Sequence, residues 1–232
     1  MLATVYRKPL HDLGAAHPRL RGVLSPGYGR EVVGRYVTAQ FEERAAEFVQ
    51  THQNPDHMRD LLGVVLRQAG IELPAEGPFT VLDLGSGAGN TILPLLDLLG
   101  RNPAGRLIGS DLSAEMLALC RALVATHPAA HHCDLLQLNA EELDFAEGSI
   151  DLVLGCAILH HLFRPDLTLA GCGRILRPGG AALFLEPFED GSGTEALIYR
   201  TILHQGSDLY NARTAAWDSS SEARPRPRGS RT

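Results

Sequence analysis

Residues 81–90 read VLDLGSGAGN, an apolar run that contains Asp83 and is followed by glycine at every second position. Such a run is typical of a buried strand, and the glycines mark a tight turn after it. Gly85 would allow a positive φ, Gly87 would let a ligand approach the backbone, and Gly89 would let the next helix pack closely against the sheet. The stretch therefore predicts a ligand-binding loop between a strand and a helix.

The chain around this loop alternates short apolar runs with helical stretches from Phe79 to Pro187. The apolar runs are nearly continuous, as in a parallel sheet with helices on both faces. Right-handed crossovers give a doubly wound sheet, whose ligands bind at the carboxyl ends of the strands. We therefore predict an α/β fold with a mainly parallel, Rossmann-like sheet, whose segments are FTVLDLG, TILPLLDLLG, RLIGSD, SAEMLALCRALVATH, DLLQLNA, IDLVLGCAIL, PDLTLAGCGRILRPGG and AALFLEP.

The segments outside this core predict different structures. Residues 1–76 carry apolar residues at helical spacing, so we expect an N-terminal helical cap or lid before a core at 77–190. The stretch TEALIYRTILHQ predicts a C-terminal helical extension over 191–218. Residues 219–232 are rich in Ser, Pro and Arg, which favours a disordered tail over a segment that binds an acidic partner or RNA.

Composition and charge narrow the class of protein. A net charge of -6 disfavours a protein that binds nucleic acid through phosphate contacts. The N-terminus lacks the apolar core of a signal peptide, and no apolar run reaches the length of a membrane span. The four cysteines form no C-x-x-C pair, so we expect reduced thiols in the core. These patterns predict a cytoplasmic enzyme with no metal, no nucleic acid partner and no membrane span, and they leave the oligomeric state open.

Two residues in the loop indicate which ligand it binds. The dinucleotide motif G-x-G-x-x-G, placed on Gly85, needs Gly or Ala at position 90, where the chain has Asn90. Asp83 would also repel a pyrophosphate and attract an ammonium group. The pattern therefore favours a ligand with an amino group, a small carboxylate for the helix N-terminus and a nucleoside. It disfavours an NAD(P)-dependent reductase.

The pattern from Asp83 to Gly89 resembles the first motif of class I S-adenosylmethionine-dependent methyltransferases, and the resemblance covers residues 78–187. The paired histidines after the fourth strand and the Pro-Gly-Gly turn resemble the UbiE-like small-molecule branch, methyltransferase types 11 and 12. The resemblance implies S-adenosyl-L-methionine as cofactor, with its ribose hydroxyls on Asp111 and its adenine edge at Asn139. The implied cofactor-binding residues are Asp83, Gly85, Ser86, Gly87, Asp111, Leu112, Met116, Asn139, Ala140 and Cys156. By its position alone, Asp111 could instead cap the helix that Ser113 opens.

Candidate catalytic residues follow the fourth strand. His160 and His161 could accept a proton near neutral pH, although at most one of two adjacent side chains is expected to face a substrate. The alternative is that one bonds a loop carbonyl and the other faces solvent. Glu186, at the end of the fifth strand, either faces the cleft or marks the end of the strand.

The substrate and the C-terminus leave alternatives open. The stretch GCAILHH lacks the Asn/Asp-Pro-Pro-aromatic motif of nucleic-acid amino-methyltransferases, so we predict methyl transfer to an O, N or C atom of a small molecule. Tyr28, Arg30, Arg35 and Tyr36 either line a pocket for a planar or anionic substrate or are ordinary packing and surface residues. The antiparallel strand pair that ends the family's sheet has no alternating pattern after Phe188 and is expected to be missing. A catalytically inactive protein that binds cofactor or a partner is therefore the second hypothesis.

Overall fold

The structure is a computed structural model that describes residues 2–37, 41, 43–52, 54–190 and 193–201. Within these residues, eight strands form one sheet in the order β1-β2-β5-β4-β3-β6-β7-β8. The strands are β1 (His11–Asp12), β2 (Val23–Ser25), β3 (Phe79–Leu84), β4 (Gly105–Asp111), β5 (Cys133–Gln137), β6 (Ile150–Cys156), β7 (Leu176–Asp190) and β8 (Gly193–Thr201).

The direction of the strands confirms the predicted doubly wound, mainly parallel sheet. All pairings from β2 to β7 are parallel, and only the two edge strands, β1 and β8, run antiparallel to their neighbours. The strand order reverses beside β3, because β4 pairs with one edge of β3 and β6 with the other. A reversal of this kind opens a crevice at the carboxyl ends of the strands, where the ligands of open α/β sheets bind.

Helices cover both faces of the sheet. They are α1 (Leu2–Val5), α2 (Arg30–Tyr36), α3 (Ala45–His52), α4 (Pro55–Gln68), α5 (Ile92–Leu99), α6 (Ala114–Val124) and α7 (Pro165–Ile175). One core cluster joins α4, α5 and α6 to the face of β3 that carries Val81. A second cluster joins α1 and α7 to the opposite face, through Leu82 and Leu84. In the part of the chain that the structure describes, no helix is both long and apolar enough to cross a membrane.

The N-terminal segment is not purely helical, which corrects the expected helical cap. It also contributes β1 and β2, and β2 extends the sheet by pairing with β5 in parallel. A strand of three residues is too short to show an alternating pattern in the sequence. Val23 is fully buried, and the free edge of β5 supplies the backbone partners that make this short strand possible.

The C-terminal segment contains a strand where the sequence favoured a helix. β8 pairs antiparallel with β7 over a register that runs from Ala182 opposite Thr201 to Asp190 opposite Gly193. The expected helix over 191–218 is therefore wrong for residues 193–201. A single antiparallel strand, β8, follows β7 there, and the described residues contain no second strand of the pair that was expected to be missing. The reason for β8 is the open edge of the long strand β7, whose backbone groups need partners and outweigh a weak helical pattern. The rest of that segment and the predicted tail at 219–232 lie outside the described residues.

Candidate functional site

The glycine loop follows β3 and takes the predicted backbone conformation. Gly85, Gly87 and Gly89 have φ values of +68°, +52° and +100°. A Cβ on Gly85 would lie 2.7 Å from Cδ1 of Ile158, whereas a Cβ on Gly87 would meet no described atom within 4 Å. Gly87 therefore leaves open space beside the backbone.

Gly89 has a packing role that differs in detail from the prediction. A Cβ there would lie 3.1 Å from the sulfur of Cys120, which belongs to α6. The third glycine thus allows close contact between the loop and a neighbouring helix, not between the following helix and the sheet.

Hydrogen bonds attach the glycine loop to the end of β4. The Ser86 amide donates to the Ser110 carbonyl at 2.8 Å, and the Ser110 amide donates to Oγ of Ser86 at 2.9 Å. The Ser110 hydroxyl donates to the carbonyl of Asp83 at 2.8 Å. The loop is therefore held rigidly at the crevice between β3 and β4.

Asp83 lies behind this loop and is 1% exposed. Its Oδ2 accepts a hydrogen bond of 2.5 Å from Oγ1 of Thr91, and its Oδ1 has no partner among the described atoms. Burial, together with the nearby Asp111, raises the pKa of Asp83 to about 7 against the opposing effect of the hydrogen bond from Thr91. Asp83 is not among the described residues that line the cavity, so its contact with an ammonium group remains a prediction.

Asp111 ends β4 and faces the crevice. Its Oδ2 accepts a hydrogen bond from the Gly87 amide at 2.9 Å, and its Oδ1 accepts one from the Ser113 amide at 2.8 Å. The N-cap of α6 is Ser113, whose Oγ accepts from the Met116 amide. Asp111 therefore connects the glycine loop to the start of α6, and the helix cap itself is supplied by Ser113.

Asn139 follows β5 and is buried against the same crevice. Its side-chain oxygen accepts a hydrogen bond from the Glu141 backbone amide at 3.1 Å. The backbone amide of Asn139 donates to the Tyr28 hydroxyl at 3.1 Å. The side chain thus stabilises a local turn as well as lining the cavity, as does its neighbour Ala140.

Gln137 is a positioning residue that the sequence analysis missed. Its Nε2 donates to the Leu112 carbonyl at 3.0 Å, and its Oε1 accepts from the hydroxyl of Ser25 in β2 at 2.8 Å. Burial of an unpaired amide is costly, so a glutamine inside the apolar run DLLQL was the signal that could have found it. The N-terminal strand thereby supports the loop after β4.

The segment after β6 turns sharply toward the cavity. Ala157 has a φ of +53°, which a residue with a Cβ rarely adopts. His161 lines the cavity, whereas His160 is not among the described lining residues and donates from Nδ1 to Oε2 of Glu186 at 2.7 Å. Burial and the neighbouring His160 lower the pKa of His161, which favours its neutral form, and Glu186 opposes that shift. Of the two predicted bases, only His161 is among the described residues that line the cavity.

The N-terminal segment contributes one wall of the cavity, next to Ala88 of the glycine loop. Tyr36, Val37, Phe41, Val49 and Met58 line the cavity there. Tyr28 is not among the described lining residues, and its hydroxyl accepts a hydrogen bond from the Asn139 backbone amide. Arg30 and Arg35 are exposed and also do not line the cavity among the described residues. Of the predicted lid residues, only Tyr36 therefore reaches the cavity.

All these elements enclose one cavity of about 360 Å³. Its volume lies within the range of small-molecule sites. The predicted residues that line it are Gly85, Ser86, Gly87, Asp111, Leu112, Met116, Asn139, Ala140, Cys156 and His161. Burial raises the pKa of the Cys156 thiol to about 12, so it presents a neutral thiol. Among the described residues, no group of three or more His, Cys, Asp or Glu could hold a metal ion.

Comparison with known proteins finds similarity to methyltransferases. A family model described as a methyltransferase domain matches residues 81–180. The chain is 34% identical over 107 residues to the ubiquinone/menaquinone biosynthesis C-methyltransferase UbiE of Hahella chejuensis, covering 46% of this chain and 42% of that protein. It is 28% identical over 169 residues to the same-named protein of Ectopseudomonas mendocina, covering 70% of this chain and 65% of that one. Both matches span less than two thirds of the relative's length.

A solved structure of similar fold is Haemonchus contortus phosphoethanolamine N-methyltransferase 2 in complex with phosphomonomethylethanolamine and S-adenosylhomocysteine. It is 21% identical, with a TM-score of 0.49, and the similarity covers 67% of this chain and 32% of that chain.

Proposed function

We propose that this chain is a class I S-adenosylmethionine-dependent methyltransferase that transfers a methyl group to a small, uncharged molecule bound in the cavity; the matched methyltransferase domain and the UbiE relatives support the family. The observation that carries the proposal is the convergence of the glycine loop, Asp111 and His161 on one cavity.

The residues on the β3–β4 side of the cavity fit the cofactor S-adenosyl-L-methionine. The open space at Gly87 allows a ligand to approach the backbone amides, and the carboxylate of Asp111 is an acceptor suited to ribose hydroxyls. Leu112, Met116 and Ala140 supply apolar surface for the adenine ring. The cofactor, when bound, supplies a methyl group that is already activated for transfer.

The wall formed by the N-terminal segment is suited to the methyl acceptor. Aromatic and apolar residues of the N-terminal segment form this wall, and no Lys or Arg stands among the described residues that line the cavity. A phosphate or carboxylate buried there would lose its hydration without a cationic partner. We therefore favour an uncharged, planar acceptor over the anionic one that Arg30 and Arg35 had suggested.

A ring carbon is the acceptor atom that we propose. The two relatives above are named as C-methyltransferases of quinone biosynthesis, and the apolar wall suits a hydroquinone ring. The tasks of this chain are then to hold the ring in line with the methyl group, to exclude water and to accept the proton that the acceptor loses. His161 is the proposed base, because it lines the cavity and its lowered pKa keeps it neutral near pH 7.

Calorimetric titration of the full chain with S-adenosylhomocysteine, with NADH as control ligand, tests the cofactor. Transfer of a radiolabelled methyl group to 1,4-naphthoquinol, with phosphoethanolamine as the charged comparison, tests the reaction. We expect micromolar binding of S-adenosylhomocysteine only, and methylation of the quinol only. Binding without methylation of either acceptor would favour the inactive, cofactor-binding alternative, and binding of NADH alone would favour a reductase.

A further inference from the structure

Glu186 accepts three hydrogen bonds, and the proposed reaction has so far given this residue no role. It stands one residue beyond Leu185, which pairs with Cys156 at the end of the β6–β7 ladder. The side chain is buried, with 3% of the residue exposed, and its Oε1 accepts from the amides of both Ile158 and Leu159 at 2.9 Å.

The third donor to Glu186 is His160. A carboxylate oxygen can only accept, so Nδ1 of His160 carries the proton in this 2.7 Å hydrogen bond. Three donors from consecutive residues therefore converge on one buried carboxylate, which fixes the backbone of the turn and the orientation of the His160 ring.

Among the described residues, this turn contains the only residue other than glycine that has a positive φ. Ala157 adopts a left-handed conformation that is unfavourable for a residue with a Cβ. Its amide donates to the Leu185 carbonyl at 2.8 Å, immediately before Glu186 takes the next two amides. Leu185 and Glu186 of β7 thus hold three consecutive amides of the turn, and strained backbone that is held in this way is typical of functional sites.

The turn sets the position of the side chains that face the acceptor. Ile158 packs against the glycine loop, at the place where Gly85 has no side chain. The ring of His161 lies 4.1 Å from the ring of His160 on one side and 5.6 Å from that of Phe41 on the other, measured between centroids. Because Glu186 orients His160, it also restricts the place that His161 can occupy.

We propose that Glu186 is a positioning residue, whose carboxylate holds the turn from Ala157 to His160 so that His161 faces the methyl acceptor. It acts through this turn and not by contact with substrate, since it is not among the described residues that line the cavity. This inference rests on the proposed function for the role of His161. Whether the Glu186 carboxylate holds the turn can be tested without turnover.

The test compares three variants of the full chain. Glu186→Ala removes the acceptor of all three bonds, whereas Glu186→Gln keeps a carbonyl oxygen for the two amides. Asp151→Asn is the matched control, because Asp151 is a carboxylate at the opposite end of β6, where it accepts from the Thr80 amide at 2.6 Å and pairs with Arg177. The readouts are hydrogen exchange of the amides, affinity for S-adenosylhomocysteine, and kcat and KM with 1,4-naphthoquinol.

We expect Glu186→Ala to increase exchange of the Ile158 and Leu159 amides and to lower kcat about 100-fold, as a displacement of about 1 Å in a site can. Affinity for S-adenosylhomocysteine should change less than about threefold, and Glu186→Gln should restore most of the protection and of kcat. Asp151→Asn should lower stability and leave kcat and the exchange of the turn unchanged.

Unchanged exchange of the turn in Glu186→Ala would overturn the proposal, and so would an equal loss of kcat in Asp151→Asn. If the wild-type chain methylates no quinol, the proposed reaction fails, and exchange of the Ile158 and Leu159 amides still decides whether Glu186 holds the turn.

Discussion

The Asp83 carboxylate accepts a 2.5 Å hydrogen bond from Thr91 while its other oxygen is buried without a partner among the described atoms. Because burial raises its pKa to about 7, the folded chain keeps a proton that the unfolded chain loses near pH 4. The free energy of unfolding therefore falls as pH rises from about 4 to 7, by at most roughly 1.4 kcal/mol per pH unit.

Asp83→Asn removes this titration, so we predict a flatter dependence of stability on pH. The urea midpoint, measured from pH 4 to pH 8, should fall with pH in the wild type and much less in the variant. Thr91→Val provides the opposite comparison, because loss of its hydrogen bond should raise the pKa of Asp83 further and extend the decline to higher pH. Parallel curves for the wild type and Asp83→Asn would contradict a shifted Asp83.

Asp111 is expected to carry a large share of the affinity for the cofactor. Hydrogen bonds to a charged group contribute about 1.5 to 3 kcal/mol each, so Asp111→Ala should weaken binding of S-adenosylhomocysteine at least tenfold. Glu115→Gln is a suitable control, since Glu115 lies in the same loop-to-helix region but pairs with Arg19 at the surface. Calorimetry on both variants checks the prediction, and an unchanged Kd in Asp111→Ala would exclude the ribose role.

The sequence predicted the parts of the site that depend on local pattern. The strand, the three glycines and the acid at the end of the next strand all follow from neighbouring residues, and the structure brings Gly87 and Asp111 together as expected. Contacts between distant segments could not be predicted in this way. The bond between Ser25 and Gln137 joins residues 112 positions apart, and a three-residue strand has no periodicity. The role of Glu186 likewise depends on which residue of β7 lies beside the turn after β6.

The glycines of the loop should respond differently to alanine. Gly87→Ala adds a methyl group in open space at a φ of +52°, so its main cost is backbone strain of about 1 to 2 kcal/mol, together with obstruction of the ligand. Gly89→Ala places a Cβ at a φ of +100°, outside the left-handed region that other residues adopt, and brings it within 3.1 Å of the Cys120 sulfur. We therefore expect Gly89→Ala to lower Tm more, and Gly87→Ala to weaken S-adenosylhomocysteine more. Thermal unfolding and calorimetry separate the two effects, and the reverse ranking would contradict the assigned roles.

His161 provides the sharpest test of the proposed chemistry. His161→Gln should retain affinity for S-adenosylhomocysteine and lose most of its kcat with 1,4-naphthoquinol, typically 100-fold or more for a general base. Burial and the neighbouring His160 lower the pKa of His161 below its ordinary 6.5, so the wild-type rate should stay constant above that pH and fall only at lower pH. Below this pKa the ring is protonated and has no lone pair to accept the proton of the substrate, so the rate falls as the pH is lowered. His131→Gln, at an exposed histidine before β5, is the control and should leave the kcat profile from pH 5 to pH 8 unchanged. A His161→Gln variant that keeps the wild-type rate and profile would assign the proton transfer to another group.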